Sequence, residues 1–307
     1  MEVSRLSKQL TIKSWRFEYP VSLAEGFANF LIKQKKECDI FLIDHNIYEL
    51  YQEAIAPLIR EHPHLLIQPS EKAKNYFEIG DVIKELIACN VKKNDRLIAI
   101  GGGITQDIAS FTASIYFRGI DWLFIPTNLL SQCDSCIGSK TSVNFRNFKN
   151  QLGGFYPPRA ICIDINFLKT LPQSEILSGM GEMAHYFLIE GEETFAEFEN
   201  NFEQALNDLE LLKTFVHRSL SIKKKMIEVD EFDQGPRRIF NYGHSFGHAL
   251  ETMSGYRIPH GIAVSYGIDL ANTISAQLGL LKEEVQLRIR QTLQKIWKDF
   301  PLPTSPI

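Results

Sequence analysis

The sequence lacks most signs of a membrane, secreted or nucleic-acid-binding protein. No segment of its 307 residues approaches the roughly eighteen consecutive apolar residues that a spanning helix needs. The N-terminus, MEVSRLSKQLTIKSW, alternates charged and apolar residues and holds no apolar stretch of signal-peptide length. Cysteine is scarce: five residues, an odd number, are scattered at Cys38, Cys89, Cys133, Cys136 and Cys162, unlike a disulfide framework. Cytoplasm is therefore the expected compartment. The 33 basic and 37 acidic residues give a net charge of −4, so no basic footprint for nucleic acid exists. Internal repeats and low-complexity segments are also missing. What is there, 44% hydrophobic and 23% charged residues, is the composition of an ordinary soluble protein. A chain of this length buries roughly three quarters of its unfolded surface without a staple, and two domains are the default expectation.

The first half alternates between strand and helix patterns. DIFLID (39–44) reads as a buried strand, and HLLIQP (64–69), RLIAIGGG (96–103) and DWLFIP (121–126) as three further strands. Helical spacing follows the first three, over 48–59, 76–89 and 104–116. This alternation predicts a parallel sheet covered on both faces. After AICIDI (160–165) only helical periodicity remains, over 174–190, 192–206, 208–229, 238–253, 262–278 and 282–298. Pro172, Pro236 and Pro259 punctuate it where helices should begin or end. The expected architecture is an α/β domain over 1–170 and an all-α domain over 171–307, with a ligand site in the cleft between them.

Three local patterns carry chemistry. Gly101, Gly102 and Gly103 join a strand end to a helix start, where glycine lets a pyrophosphate approach and the helix offers unpaired N–H groups. The GxGxxG fingerprint is absent, so a plain tight turn stays open as a reading. Asp107, on the first turns of that helix, either contacts a nicotinamide or ribose or complements the helix dipole. Cys133 and Cys136 form a CxxC, but without a second cysteine pair they read as small buried thiols. The third pattern is histidine. Of eight in the chain, three fall within NYGHSFGHALE and IPHGIAV. His244 and His248 are four apart and share a helical face, while His260 follows Pro259 at the start of the next helix. Two or three of these imidazoles with Glu182, in SGMGEMAHYF, would form a catalytic zinc site with one position open. The lack of Glu after the first His argues against an HExxH metalloprotease.

The run GGGITQDIASFTASIYFRGIDWLFIPTNLLSQCDSCIGSKTSVN, then FKNQLGGFYPP, LKTLP, GMGEMAHY and RRIFNYGHSFGHALE…PHGIAV, resembles 3-dehydroquinate synthase and the wider sugar-phosphate cyclases. The similarity covers roughly residues 39 to 280, with the motifs in the family's order. It implies an NAD-binding α/β domain followed by a helical metal-binding domain. It also implies Glu182, His244 and His260 as zinc ligands (cobalt being the other candidate ion), with His248 a substrate contact. NAD would be held by Asp44, Glu71, Lys74, Gly102, Gly103, Asp107, Thr127, Asn128, Leu130, Asp134, Lys140, Lys149 and Thr170. Asp134, Lys140, Asn150, Lys223, Arg237 and Asn241 match the family's substrate pocket. Arg118 matches an arginine that reaches the neighbouring subunit's site, which implies a homodimer.

The implied reaction belongs to the shikimate pathway of aromatic amino-acid biosynthesis. It oxidises a ring hydroxyl to a ketone, acidifying the adjacent C–H. Phosphate leaves by β-elimination, the ketone is reduced again by the same cofactor, and the ring reopens and closes as a carbocycle. Zinc would act as a Lewis acid on the hydroxyl. Lys140, Lys223 and Arg237 would supply positive charge for a carboxylate and a phosphate. His248 and Asn241 would hold the phosphate, while Lys224 and Lys225 read as solvated surface.

Five departures accompany the resemblance. His185 stands where quinate-forming members carry lysine, so it either weakens an anion contact or approaches the metal. Asp233 replaces their glutamate, Asn128 the second threonine of PTT, and Ser139 the glycine before the pocket lysine. Family members also continue some fifty residues further and carry a phosphate-binding lysine there, so a fragment, another substrate or an impaired reaction are the expectations to separate. Arg237 and Asn241 agree with the quinate-forming enzymes. The competing functions are another heptose or hexose phosphate cyclase, a metal-dependent polyol dehydrogenase and a non-catalytic nucleotide-binding homologue.

Overall fold

The computed structural model describes residues 9–23 and 26–302. Its internal contacts divide the chain into two units, Met1–Thr170 and Leu171–Ile307.

The first unit is built on a seven-stranded sheet. Its strands are β1 (Gln9–Lys13), β2 (Glu18–Ser22), β3 (Asp39–Asp44), β4 (His64–Ile67), β5 (Arg96–Gly101), β6 (Asp121–Pro126) and a ninth in chain order, β9 (Ala160–Cys162). The order across the sheet is β1-β2-β9-β6-β5-β3-β4, with only the β1–β2 pair antiparallel. Every residue of β3 and β5 is buried, which explains their unbroken apolar character: both faces of a central parallel strand are covered. Of the three charged exceptions, Asp44 caps the following helix and the other two pair with each other. The Arg96 guanidinium grips the Asp39 carboxylate through two hydrogen bonds of 2.8 and 2.7 Å.

Helices α1 (Phe27–Gln34), α2 (His45–Leu50), α3 (Gln52–Ile59), α4 (Tyr76–Ala88) and α5 (Gly103–Ile115) complete these crossovers. Phe27, Phe30, Leu31, Ile55, Ile59 and Phe167 pack with Phe41, Ile43, Ile98 and Ile100 in one core cluster. Outside the sheet, β7 (Lys140–Phe145) and β8 (Phe148–Phe155) form an antiparallel hairpin with an irregularity between Val143 and Phe145.

Several boundaries differ from the sequence expectation, each for a local reason. The helix expected over 48–59 is two helices: the Asp44 carboxylate caps an earlier start by accepting from the N–H groups of Asn46 and Ile47, and Tyr51, at φ −123° and ψ 23°, leaves the helical region between them. The strand expected over 160–165 stops at Cys162. Asp164 turns the chain instead, accepting from the backbone N–H groups of Phe27 and Asn166 at 3.0 Å each. The sequence reading missed β1, β2, α1 and the β7–β8 hairpin. The hairpin is mostly exposed on β8, so it lacks the apolar run that marked the other strands.

The second unit, in its described residues, is helical: α6 (Gln173–Glu190), α7 (Glu192–Ala205), α8 (Leu209–Ile227), α9 (His244–Met253), α10 (His260–Gln277) and α11 (Glu283–Trp297). Phe187, Phe198, Phe202 and Phe215 interlock at ring separations of 5.2 to 5.6 Å and tie α6, α7 and α8 together. The helix expected over 238–253 is instead a 3-10 turn at Pro236–Asn241 followed by α9. The break falls at Gly243, whose φ of +80° is left-handed. Among the described residues, no helix is long and apolar enough to cross a membrane.

Candidate functional site

The chemistry-bearing residues of the first unit fall into two groups. Around the β5–α5 turn, Gly102 is the N-cap of α5 and offers no side-chain cap to the first-turn N–H groups. A Cβ on Gly103 would meet nothing within 4 Å, whereas one on Gly102 would lie 2.9 Å from the Asn128 amide nitrogen. Thr127 donates its backbone N–H to the Gly101 carbonyl at 3.0 Å, and Asn128 accepts from the Ser131 N–H at 3.0 Å. Leu130 then leads into a single π turn, Ser131–Ser135, that carries Asp134. Gln106 brackets this turn from α5, donating to the Ser135 carbonyl at 2.6 Å and accepting from its hydroxyl at 2.7 Å.

The second group is a charge cluster joining α5 to the hairpin. Lys74 Nζ lies 2.6 Å from an Asp107 carboxylate oxygen and donates to the Asn150 side-chain oxygen at 2.8 Å. Burial pushes the Asp107 carboxyl up to about 6 against the pull of Lys74. Glu71 accepts from the Asn144 amide at 2.7 Å and lies 3.0 Å from Lys149 Nζ. Burial raises the Glu71 carboxyl, but these two partners outweigh it and hold the group below the usual range. Asp44 is a cap, and burial raises its carboxyl despite the N–H groups it accepts from. Thr170 shares a 2.9 Å hydrogen bond with the Tyr51 hydroxyl. Lys140 is exposed at the start of β7, and Ser139 before it has a φ of +64°, a region where glycine is unstrained. Arg118 is exposed in the turn after α5 at φ +59°.

The cysteines of the CxxC lie here too. Cys133 and Cys136 are buried, and their thiols point to the carbonyl oxygens of Leu130 and Gln132 at 3.7 Å each.

In the second unit, glycines let three helices close on one carboxylate. A Cβ on Gly261 would lie 1.8 Å from the Ser178 carbonyl oxygen, and one on Gly181 would lie 2.1 Å from the Gly261 carbonyl oxygen. Only glycine allows α6 and α10 this approach, which brings Glu182 to the start of α10. There the side chains converge. His244 Nε2 is 3.6 Å from one Glu182 oxygen and His260 Nε2 is 3.7 Å from the other. All three donors lie within 4.8 Å of one another.

Two ligands each about 2.1 Å from a tetrahedral ion stand about 3.4 Å apart, so this spacing fits a divalent cation. The donor set fits as well: a carboxylate that is 2% exposed, facing imidazoles, is costly to bury without positive charge. Each imidazole is oriented from its far side. His244 Nδ1 is 3.3 Å from the Tyr242 carbonyl, and His260 Nδ1 is 3.1 Å from a Glu251 carboxylate oxygen.

His185 is fully buried among Tyr186, Phe240, Tyr242 and His244, with Nδ1 3.7 Å from Glu182. That placement sets its ring beside the Glu182–His244–His260 cluster and out of solvent. Burial pushes the neighbouring Tyr242 phenol up to about 12. His248 is exposed on α9, its ring stacked 5.6 Å from His260.

Lys223 and Arg237 are buried at 5% exposure each, unlike Lys225, which is exposed and pairs with Glu190. Arg237 donates to the Glu231 carbonyl at 2.6 Å. Asn241 is exposed at the end of its 3-10 turn, and Asp233 has a φ of +58° in the loop before it. Asp230 organises that loop by accepting from the N–H groups of Gln234, Gly235 and Arg237 at 2.8 to 3.1 Å.

Family models for the 3-dehydroquinate synthase N-terminal and C-terminal regions match residues 64–178 and 179–306. The chain belongs to the 3-dehydroquinate synthase family. A 3-dehydroquinate synthase of Dictyoglomus turgidum is 39% identical over 291 residues, covering 93% of this chain and 81% of that protein. Among solved structures, 2-deoxy-scyllo-inosose synthase complexed with carbaglucose-6-phosphate, NAD+ and Co2+ superposes with a TM-score of 0.87. It is 25% identical over 97% of this chain and 84% of its own. The 2-epi-5-epi-valiolone synthase of Streptomyces hygroscopicus, with NAD+ and Zn2+ bound, gives 0.83 at 26% identity over 99% and 84%.

Sequence reasoning missed Glu251, Tyr242, Asn144 and Asp230. Glu251 had a signal: it lies seven residues after His244 and three after His248, on their helical face. Asp230 precedes a Gly-Pro turn, a common Asx setting. Asn144 had none, since only its long-range bridge to Asn75, with its N–H donated to the Lys74 carbonyl, brings it to Glu71.

Proposed function

We propose that the protein is an NAD- and zinc-dependent phosphate lyase that converts 3-deoxy-arabino-heptulosonate 7-phosphate to 3-dehydroquinate and phosphate in the shikimate pathway. The observation that carries the reading is the convergence of Glu182, His244 and His260 at one cation's spacing in a chain of this family. When bound, NAD supplies a reversible hydride acceptor and the divalent cation a Lewis acid for the hydroxyl being oxidised.

The chain's own residues have separate tasks. Glu182, His244 and His260 hold the cation, and His185 packs behind Glu182. Gly102, Gly103 and the uncapped N-terminus of α5 receive the pyrophosphate, with Thr127, Asn128 and Leu130 lining the turn. Glu71, Lys74, Asp107 and Lys149 hold the remaining nucleotide in one ion-paired frame, to which Asp44, Thr170, Asp134 and Lys140 add contacts. Lys140, Lys223 and Arg237 each supply positive charge for the substrate's two anionic groups, and Asp134, Asn150 and Asp233 supply further polar contacts to it. His248 and Asn241 hold the phosphate until it departs. Exposed Arg118 reaches a second copy of the chain in a cytoplasmic homodimer.

Phosphate release across sugar phosphates with and without a carboxylate tests this. The reading expects one phosphate per heptulosonate phosphate consumed and no net NADH. Net NADH from a polyol would favour the dehydrogenase reading instead, and turnover of a carboxylate-free sugar phosphate alone would favour another cyclase.

A further inference from the structure

His260 stands between two carboxylates. Its Nε2 is 3.7 Å from Glu182, and its Nδ1 is 3.1 Å from Glu251 Oε2. A neutral imidazole carries one N–H, and a carboxylate at Nδ1 takes that hydrogen and leaves the Nε2 lone pair facing the other way. His244 is set up alike, but by the neutral Tyr242 carbonyl at 3.3 Å. Glu251 therefore adds something that Tyr242 does not: a charge, which strengthens the hydrogen bond that orients the ring.

The helix explains the arrangement. His244 opens α9, and Glu251 follows two turns later on the same face, so one helix carries a cation ligand at its start and a partner for another ligand near its end. Gly247 lies between them, where a Cβ would come within 3.0 Å of the Val264 Cα on α10. That close crossing holds the start of α10, and with it His260, against the Glu251 carboxylate.

Resting on the metal reading above, we propose that Glu251 is a positioning residue. It accepts the Nδ1–H of His260, fixing the tautomer and the ring so that Nε2 faces the cation beside Glu182 and His244. The rival assignment is that Glu251 is itself a ligand of a second cation, since His248, Glu251 and His260 also place donor atoms within 4.8 Å of one another.

The test uses the full chain stripped of metal, titrated with Zn2+ against a competing chelator and with Co2+ followed by its visible absorption. Glu251→Ala is expected to weaken binding about ten- to a hundredfold and to alter the Co2+ spectrum, with one cation per chain throughout. Glu251→Gln, whose amide oxygen still accepts the hydrogen bond, is expected to recover part of the loss. The metal-free melting temperatures of both variants should stay within about 3 °C of the parent. Unchanged affinity in Glu251→Ala would overturn the proposal, as would a second cation that disappears in that variant. Equal losses in both variants would also overturn it. A parent chain that binds neither cation would remove the metal reading itself, and this inference with it.

Discussion

The two units solve the burial of charge in opposite ways. In the first, Lys74 answers Asp107 and Lys149 answers Glu71, so the cluster joining α5 to the hairpin is neutralised by its own side chains. In the second, the Glu182 carboxylate faces the nitrogens of His185, His244 and His260 at 3.6 to 3.7 Å. Imidazoles at that spacing suit a shared cation better than they serve as counter-charges. One site is held by ion pairs that exist without a ligand, and on the reading proposed above the other is completed by an ion. The first should therefore tolerate loss of the metal, and the second should be indifferent to the nucleotide frame.

The largest break in this comparison comes from the second unit. His244→Ala should lower phosphate release by at least about a thousandfold and abolish tight Zn2+ binding, while NAD affinity measured by titration stays at the parent level. Lys74→Met should do the reverse. It strands Asp107 and should cost about ten- to a hundredfold in NAD affinity, with Zn2+ affinity unchanged by chelator competition.

A backbone change sharpens the same contrast. Gly261→Ala puts a Cβ where the Ser178 carbonyl already is, so α6 and α10 must part. Urea unfolding should show a loss of about 1–3 kcal/mol together with weaker Zn2+ binding.

The smallest effect is in pH. The Asp107 carboxyl rises from 3.8 to about 6 on folding, so the folded chain holds the extra proton between those values. Its contribution to stability is thus present below about pH 4 and is lost as pH rises through 6. The stability difference between parent and Asp107→Asn, without nucleotide, should shift against the parent across that window. The shift should be on the order of 1 kcal/mol, since the side chain is 20% exposed.

The units also differ in how plainly their sequence discloses them. Helical periodicity locates α6, α7, α8, α10 and α11 within two residues at each end, because their apolar faces meet other helices. Strands β3, β5 and β6 are legible for a related reason: burial on both faces leaves an unbroken apolar run. The β7–β8 hairpin is not, because its polar strands, with β8 mostly exposed, are specified by register and by bonds such as Asn150 to Lys74. In the second unit, the spacing of the histidines and the glycines beside Glu182 already point to the side chains that converge there. Of the partners behind those residues, Tyr242 is a local contact two residues before His244, whereas the pairing of Glu251 with His260 emerges only when α9 and α10 are packed together.

The most direct test strips the protein of metal and returns Zn2+ in steps while phosphate and NADH are followed together, with heptulosonate phosphate and NAD present. The account predicts that phosphate release climbs to a plateau at one cation per chain and that no net NADH appears. Phosphate release that persists in the stripped protein, or NADH that accumulates with each step, would contradict it.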